Sequence, residues 1–183
     1  MLMDKVLWVN CDSCGDMKAR LSGVEGKVFE ILIADEPNTW GYLAIYDEDN
    51  IFIPIGFADN GLSPQVKIHD KTAFVGVSDN LSGYSLATGR LFFSYKMPTV
   101  FHEFVTFNKD IFIVQDEIGF VGLFYTGEEK WIKICDDIIE TYQLNDNSIF
   151  GKTIEGDKFN FTLTPIISDP NYSRFHSLIM NEI

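Results

Sequence analysis

A segment of this chain recurs at a spacing of 38 residues between residues 70 and 164, and that periodicity restricts the fold more than any other feature. Ala73-Phe74-Val75, Ile111-Phe112-Ile113 and Ile149-Phe150 fall in step, as do Thr88, Thr126 and Thr164, each closing an aromatic-rich run. Thr88-Gly89-Arg90 and Thr126-Gly127-Glu128 match as turns, and each leads into a further apolar stretch, Leu91-Phe92-Phe93 and Trp131-Ile132-Lys133-Ile134. A fixed period of strand and turn means one supersecondary unit, copied so that neighbouring copies bury a common core. The spacing places units at 70–107, 108–145 and 146–164 within a single domain of residues 1–183. It also requires Gly89 and Gly127 to adopt positive φ, a region open to glycine at little cost, or tight turn geometry.

The chain has enough residues to bury a core, and its 46% hydrophobic and 14% aromatic content excludes a disordered chain. Sixteen phenylalanines favour strands. Polar turns at Asp47-Glu48-Asp49-Asn50, His69-Asp70-Lys71, Asn108-Lys109-Asp110 and Asn145-Asp146-Asn147 each precede an apolar run. Within the repeat, strands are expected at 75–77, 83–86, 91–95, 111–114, 120–125 and 130–134, with a shorter third copy at 149–163 that turns at Gly156-Asp157. The N-terminal third stands outside the period, since Ile51 and Ala73 are only 22 residues apart. It reads as strands at 5–9, 27–34, 40–46 and 51–56, with one helical turn at Asp16–Leu21. Pro54 lacks the amide a strand interior uses, so it marks an edge or a bulge. At the C-terminus Asp169 and Pro170 open a helix to about residue 181, with Tyr172, Phe175, Leu178 and Ile179 on one face as a lid over sheet edges.

The unit from Thr72 through Gly83-Tyr84-Ser85-Leu86-Ala87-Thr88-Gly89-Arg90 to Tyr95 resembles a quinoprotein-type β-propeller blade, as does Ile111 through Trp131, whose tryptophan stands where such blades often carry one. The resemblance covers about half the chain and implies an all-β fold of antiparallel meander sheets, a small or incomplete propeller with a short C-terminal helix. Full quinoprotein propellers are several times longer, so no cofactor residue carries over and no cofactor is expected. A curved meander closed by the helix and an ordinary β-sandwich are the alternative architectures.

The net charge is −13, with 13 acids against 8 bases up to residue 97 and 14 against 6 beyond it, so both halves are acidic. Such a field repels phosphate backbones and anionic membranes and speeds the docking of a basic protein. Asp116-Glu117, Glu128-Glu129 and Asp136-Asp137 with Glu140 are expected to form one negative patch beside Trp131, Phe124 and Tyr125. In size, acidity and lack of catalytic motifs the chain resembles bacterial immunity proteins of contact-dependent growth-inhibition systems. That resemblance implies a non-enzymatic inhibitor of a basic, nuclease-type toxin, with a protein-interaction scaffold as the alternative and a hydrolase or ligand-binding module as a third. No secretory leader or apolar run long enough to span a membrane is legible, which points to the cytoplasm and reduced thiols.

Other motifs fail on spacing. Cys11-Asp12-Ser13-Cys14 is half a zinc site, but Cys135, His69, His102 and His176 supply no second pair, so the two cysteines read as loop residues. The Asp47 loop lacks the glycine and glutamate of a calcium loop, and Gly23-Val24-Glu25-Gly26-Lys27 lacks the phosphate-loop spacing. Ser78-Asp79-Asn80 has no accompanying Ser-x-x-Lys, and His102-Glu103 no second histidine.

Overall fold

The computed structural model describes residues 5–24, 30–34, 36–46, 52–60, 62–145 and 148–163. The chain divides into two compact units, Met1–Ile138 and Ile139–Ile183. The fold is all-β and propeller-like, with one helix among the described residues.

The first sheet is the departure from regular repetition. It is built from β1 (Lys5–Cys11), β2 (Glu30–Ile33), β3 (Thr39–Tyr46) and β4 (Phe52–Asp59) in the order β1-β3-β4-β2. β1, β3 and β4 run antiparallel, and β2 joins β4 in parallel. The helical turn expected at Asp16–Leu21 is a nine-residue helix, α1 (Cys14–Ser22). Ser13 caps it by accepting the Asp16 amide at 3.1 Å, and Asp16 in turn holds Arg20 at 2.9 Å, one turn on. Cys11 and Cys14 therefore end a strand and open a helix, where a loop was expected. Pro54 sits in a strand that is interior by sheet order. An edge or a bulge was expected there; instead Pro54 pairs with Ala44 of β3 in unbroken register, and among the described residues the parallel pairing with β2 begins at Ile55.

The repeat forms two four-stranded meanders. The second sheet holds β5 (Gln65–His69), β6 (Thr72–Val77), β7 (Asn80–Ser85) and β8 (Leu91–Lys96); the third holds β9 (Phe101–Phe107), β10 (Ile111–Asp116), β11 (Gly119–Phe124) and β12 (Glu129–Ile134). Adding 38 to 72–77, 80–85 and 91–96 gives 110–115, 118–123 and 129–134, within one residue of β10, β11 and β12. β9, for which no strand was expected, lies within the bounds drawn for the 70–107 unit but opens the third sheet by pairing with β10. Its counterpart β5 alternates apolar Val66 and Ile68 with Gln65, Lys67 and His69, too weak an apolar run to stand out in the sequence.

The second unit contains a three-stranded meander of β13 (Ile139–Leu144), β14 (Ser148–Thr153) and β15 (Lys158–Thr162). Another 38 residues beyond β12 leads to 167–172; that stretch and the helix expected at 170–181 lie outside the described residues, as do the Asp47–Asn50 turn and positions 27–29 of the second expected strand.

The turn chemistry follows the sequence. Gly89 and Gly127 take φ of 70° and 86°, as the repeat requires, and Gly156 takes 93°. In two of these hairpins the pattern of bonds is the same: Gly127 donates to the Phe124 carbonyl and Phe124 to Glu128, while Gly156 donates to Thr153 and Thr153 to Asp157. Asp70 and Lys71 both have positive φ, the geometry that lets a two-residue turn follow the twist of its strands.

The core of the first unit has two layers. Leu43, Ile45, Ile53, Ile55 and Phe57 of the first sheet meet Ala73, Val75, Val77, Tyr84 and Leu86 of the second. The other face of the second sheet places Phe74, Leu81 and Phe93 against Phe112, Val114, Val121 and Leu123 of the third. Fully buried Phe74 meets the rings of Phe93, Phe107, Phe112 and Tyr125 at centroid distances of 4.7 to 6.0 Å, which accounts for much of the aromatic content.

Candidate functional site

Backbone hydrogen bonds gather one end of the second and third sheets. Met97 donates to the Asp79 carbonyl at 2.8 Å, Phe101 to Ser78 at 2.6 Å, Glu117 to Val100 at 3.1 Å and Cys135 to Ile118 at 2.7 Å. This end holds Asp116, Glu117, Asp136 and Asp137. Asp116 is buried and accepts the Ile118 amide at 3.1 Å, so it closes the β10–β11 turn and offers nothing to a partner. Burial, together with Asp136 and Asp116, pushes the neighbouring Cys135 thiol up to about 11.

Glu128 and Glu129 lie in and just after the β11–β12 turn, at the opposite end of β11, because successive turns of a meander emerge at alternate ends of its sheet. The single negative patch expected from the sequence is therefore divided. Glu129 accepts a 2.5 Å hydrogen bond from the Tyr95 hydroxyl of the second sheet. Trp131 lies over Gly122, where a Cβ would come closer than 3.0 Å to its ring, on the face of the third sheet turned away from the second. Glu140 belongs to β13 in the second unit and pairs with Lys152. Phe124 lies 5.6 Å beneath the Lys130 ammonium. Tyr125 stacks on His69 at 5.3 Å, donates to the Asn108 carbonyl at 2.5 Å and so leaves a lone pair for His69 Nε2 at 3.2 Å. That nitrogen must then carry the proton, which makes His69 a pin between strands and turns.

Concavity lies elsewhere in the first unit. A cavity of about 310 Å³ opens at one end of the first sheet, lined by Trp8, Asn10, Thr39, Trp40, Phe57 and the connection Leu62–Pro64. Gly41 faces Asn10 and Phe57 across the ladder, and a Cβ there would stand 2.6 Å from both the Phe57 ring and the Val9 carbonyl oxygen. Its bareness lets the Phe57 ring lie over β3. Trp8 meets Phe57 edge to face at 6.3 Å and remains 43% exposed. By strand parity Trp40 belongs to the other face, and it borders the cavity at the end of the sheet. Among the described residues, no lining side chain is ionisable.

Two residues past Phe57, on the same face, Asp59 pairs with Thr39. It is 1% exposed: its carbonyl accepts from the Asn38 amide (2.8 Å) and the Thr39 hydroxyl (3.1 Å), and Oδ1 accepts from the Asn60 amide at 2.6 Å. Oδ2 is buried with no hydrogen-bond partner, and burial holds the carboxyl above the usual range. Sequence reasoning missed this site, whose parts come from positions 8–10, 39–40, 57–59 and 62–64; its two tryptophans were the one legible signal. At the nearby cysteines, burial and Asp16 raise the Cys11 thiol, the reverse of what a redox nucleophile needs.

No family model matches this sequence, and no curated protein matches it. Among solved structures, the computationally designed Ika4 protein is similar to this chain with a TM-score of 0.50 at 11% identity, over 73% of this chain and 90% of Ika4. The designed Ika8 protein matches with a TM-score of 0.46 at 11% identity, over 72% of this chain and 45% of Ika8. BamB from Moraxella catarrhalis gives 0.45 at 9% identity, over 70% and 41%. The chain spans less than half the length of these last two. At 11% identity the likeness to Ika4 is one of fold alone. No helix among the described residues is long and apolar enough to cross a membrane.

Proposed function

We propose that this protein is a non-enzymatic protein-interaction module, a propeller-like scaffold that receives a basic partner along the edge strands of its repeated sheets. The observation that carries this reading is the exposure of large apolar side chains on β8 and β12, each at the edge of its sheet. Phe92 is 46% and Ile134 52% exposed, with Leu91 beside Phe92. An edge strand offers unpaired backbone groups, and exposed apolar side chains there anchor a docking chain. The acidic field, with Glu117, Glu128 and Asp136 at or near the surface, favours a partner of opposite charge. A nuclease toxin as that partner, with this chain as its immunity protein, is the narrower form of the proposal and rests on charge alone.

The test is affinity capture from the native organism with the tagged full chain, at low and then high salt, followed by reconstitution with the purified partner. Phe92→Asp and Ile134→Asp should abolish the complex, and Glu117→Lys with Asp136→Lys should slow association and flatten its salt dependence. Failure of the wild-type chain to retain any protein at either salt, or an unchanged complex with both edge variants, refutes the reading.

A further inference from the structure

The geometry of the cavity on the first sheet points to a site for an organic cation, of trimethylammonium or guanidinium size, held against Trp8, Trp40 and Phe57. This inference stands apart from the edge-strand docking proposed above.

Three observations converge on it. First, the walls are aromatic: Trp8 meets Phe57 edge to face, Trp40 also lines the cavity, and aromatic faces attract a cation through their quadrupoles, tryptophan most of all. Second, among the described residues no lysine or arginine lines the cavity. Third, Asp59 carries a buried oxygen without a partner on the strand face that Phe57 shares, and pairs across the ladder with the cavity residue Thr39. A buried acceptor left unmatched is costly, and a cation seated in front of Thr39 and Phe57 offsets that cost through space. The remaining polar groups, from Asn10, Thr39 and Ser63, are neutral and suit the hydrated rim of such a ligand. The Thr39 proton is committed to the Asp59 carbonyl, so its oxygen presents lone pairs, which also favours a positive guest. The charge of −13 acts in the same direction and raises the local concentration of cations. The cavity volume of about 310 Å³ matches a small ligand or one long side chain.

The chain has three tryptophans, and Trp131, on the third sheet, does not line the cavity, so the three indole N–H signals of the uniformly ¹⁵N-labelled full chain form a built-in comparison. Trp8→Leu and Trp40→Leu assign their two signals. Titration with choline should move both while leaving the third in place. The neutral isostere 3,3-dimethyl-1-butanol should bind about tenfold more weakly or not at all, because it fills the same space without charge. Trp8→Leu should weaken choline by about tenfold, and Asp59→Asn should weaken choline while leaving the isostere unchanged. Arginine amide and lysine amide complete the series: tighter binding of arginine amide than of choline identifies a basic side chain as the natural guest, and the reverse order identifies a free quaternary ammonium. Equal binding of choline and its isostere, or no shift of either cavity signal with any of the cations, overturns the proposal. Far-UV circular dichroism establishes that each variant is folded, and Trp40→Leu supplies the loss-of-face test if Trp8→Leu is not.

Discussion

The ring of Phe93 is enclosed by two glycines, one on its own sheet and one on the next, and Gly127→Ala tests that enclosure. An added Cβ at Gly127 would approach the Phe93 ring closer than 3.0 Å, and at Gly83 it would do the same from the neighbouring strand. Gly127 also has a φ of +86°, which an alanine adopts only under strain of about 1–2 kcal/mol. Forcing a methyl group into a filled contact adds about 1–3 kcal/mol. The substitution should therefore cost about 2–5 kcal/mol. For an m-value of about 2 kcal/mol/M, a loss near 3 kcal/mol lowers the urea midpoint by about 1.5 M. The two contributions separate in a double-mutant cycle with Phe93→Ala, which removes the two ring atoms nearest the added methyl group and leaves only the Cβ of residue 93. In the Phe93→Ala background Gly127→Ala should cost less, approaching the backbone strain of about 1–2 kcal/mol, with a coupling of about 1–3 kcal/mol between the sites. Urea unfolding by circular dichroism measures all four proteins. Equal cost of Gly127→Ala in both backgrounds would refute the claim that the glycine exists to seat the ring.

Gly156→Ala provides the complementary case: its φ is +93° with open space where a Cβ would stand, so only strain of about 1–2 kcal/mol is expected, read as a local loss of hydrogen-exchange protection around the β14–β15 turn. Asp59 makes stability depend on pH. Its folded carboxyl titrates above the ordinary value of 3.8, so the unfolded chain loses its proton first and stability falls as pH rises from about 3.8 through the folded value, staying reduced above it. Asp59→Asn keeps the acceptor for the Asn60 amide and should abolish that fall, leaving the variant the more stable at neutral pH by urea titration. Cys135, with a pKa of about 11, should have on the order of one thiol in a thousand ionised at pH 8 and resist a thiol reagent until the chain unfolds; mass spectrometry of alkylated peptides at rising urea reads this directly.

The repeat was legible because it is written in local chemistry. The 38-residue step fixed which strands correspond, and Thr-Gly fixed two turns whose glycines need positive φ. Where local signals are weak, the boundaries moved. The alternating β5 and its counterpart β9 both went unread, so the boundary drawn at residue 107 fell one strand too late. The acidic residues show the same limit in another form. Adjacency in sequence cannot say whether two turns emerge at the same end of a sheet, and strand direction divides Glu117 and Asp136 from Glu128 and Glu129.

What the sequence alone determined is the set of short-range choices: apolar alternation for strands, polar pairs and glycines for turns, and an acidic net charge. Each depends on residues within a few positions of one another, whose steric and solvation preferences act before any fold exists. The tertiary structure decided the partners of those elements. It brought Trp8, Trp40 and Phe57 together around a cavity, left Asp59 buried opposite Thr39, and withdrew Asp116 into a turn. These outcomes depend on register and burial between segments tens of residues apart, and such contacts are set by the packing of whole sheets, which no short stretch of chain encodes.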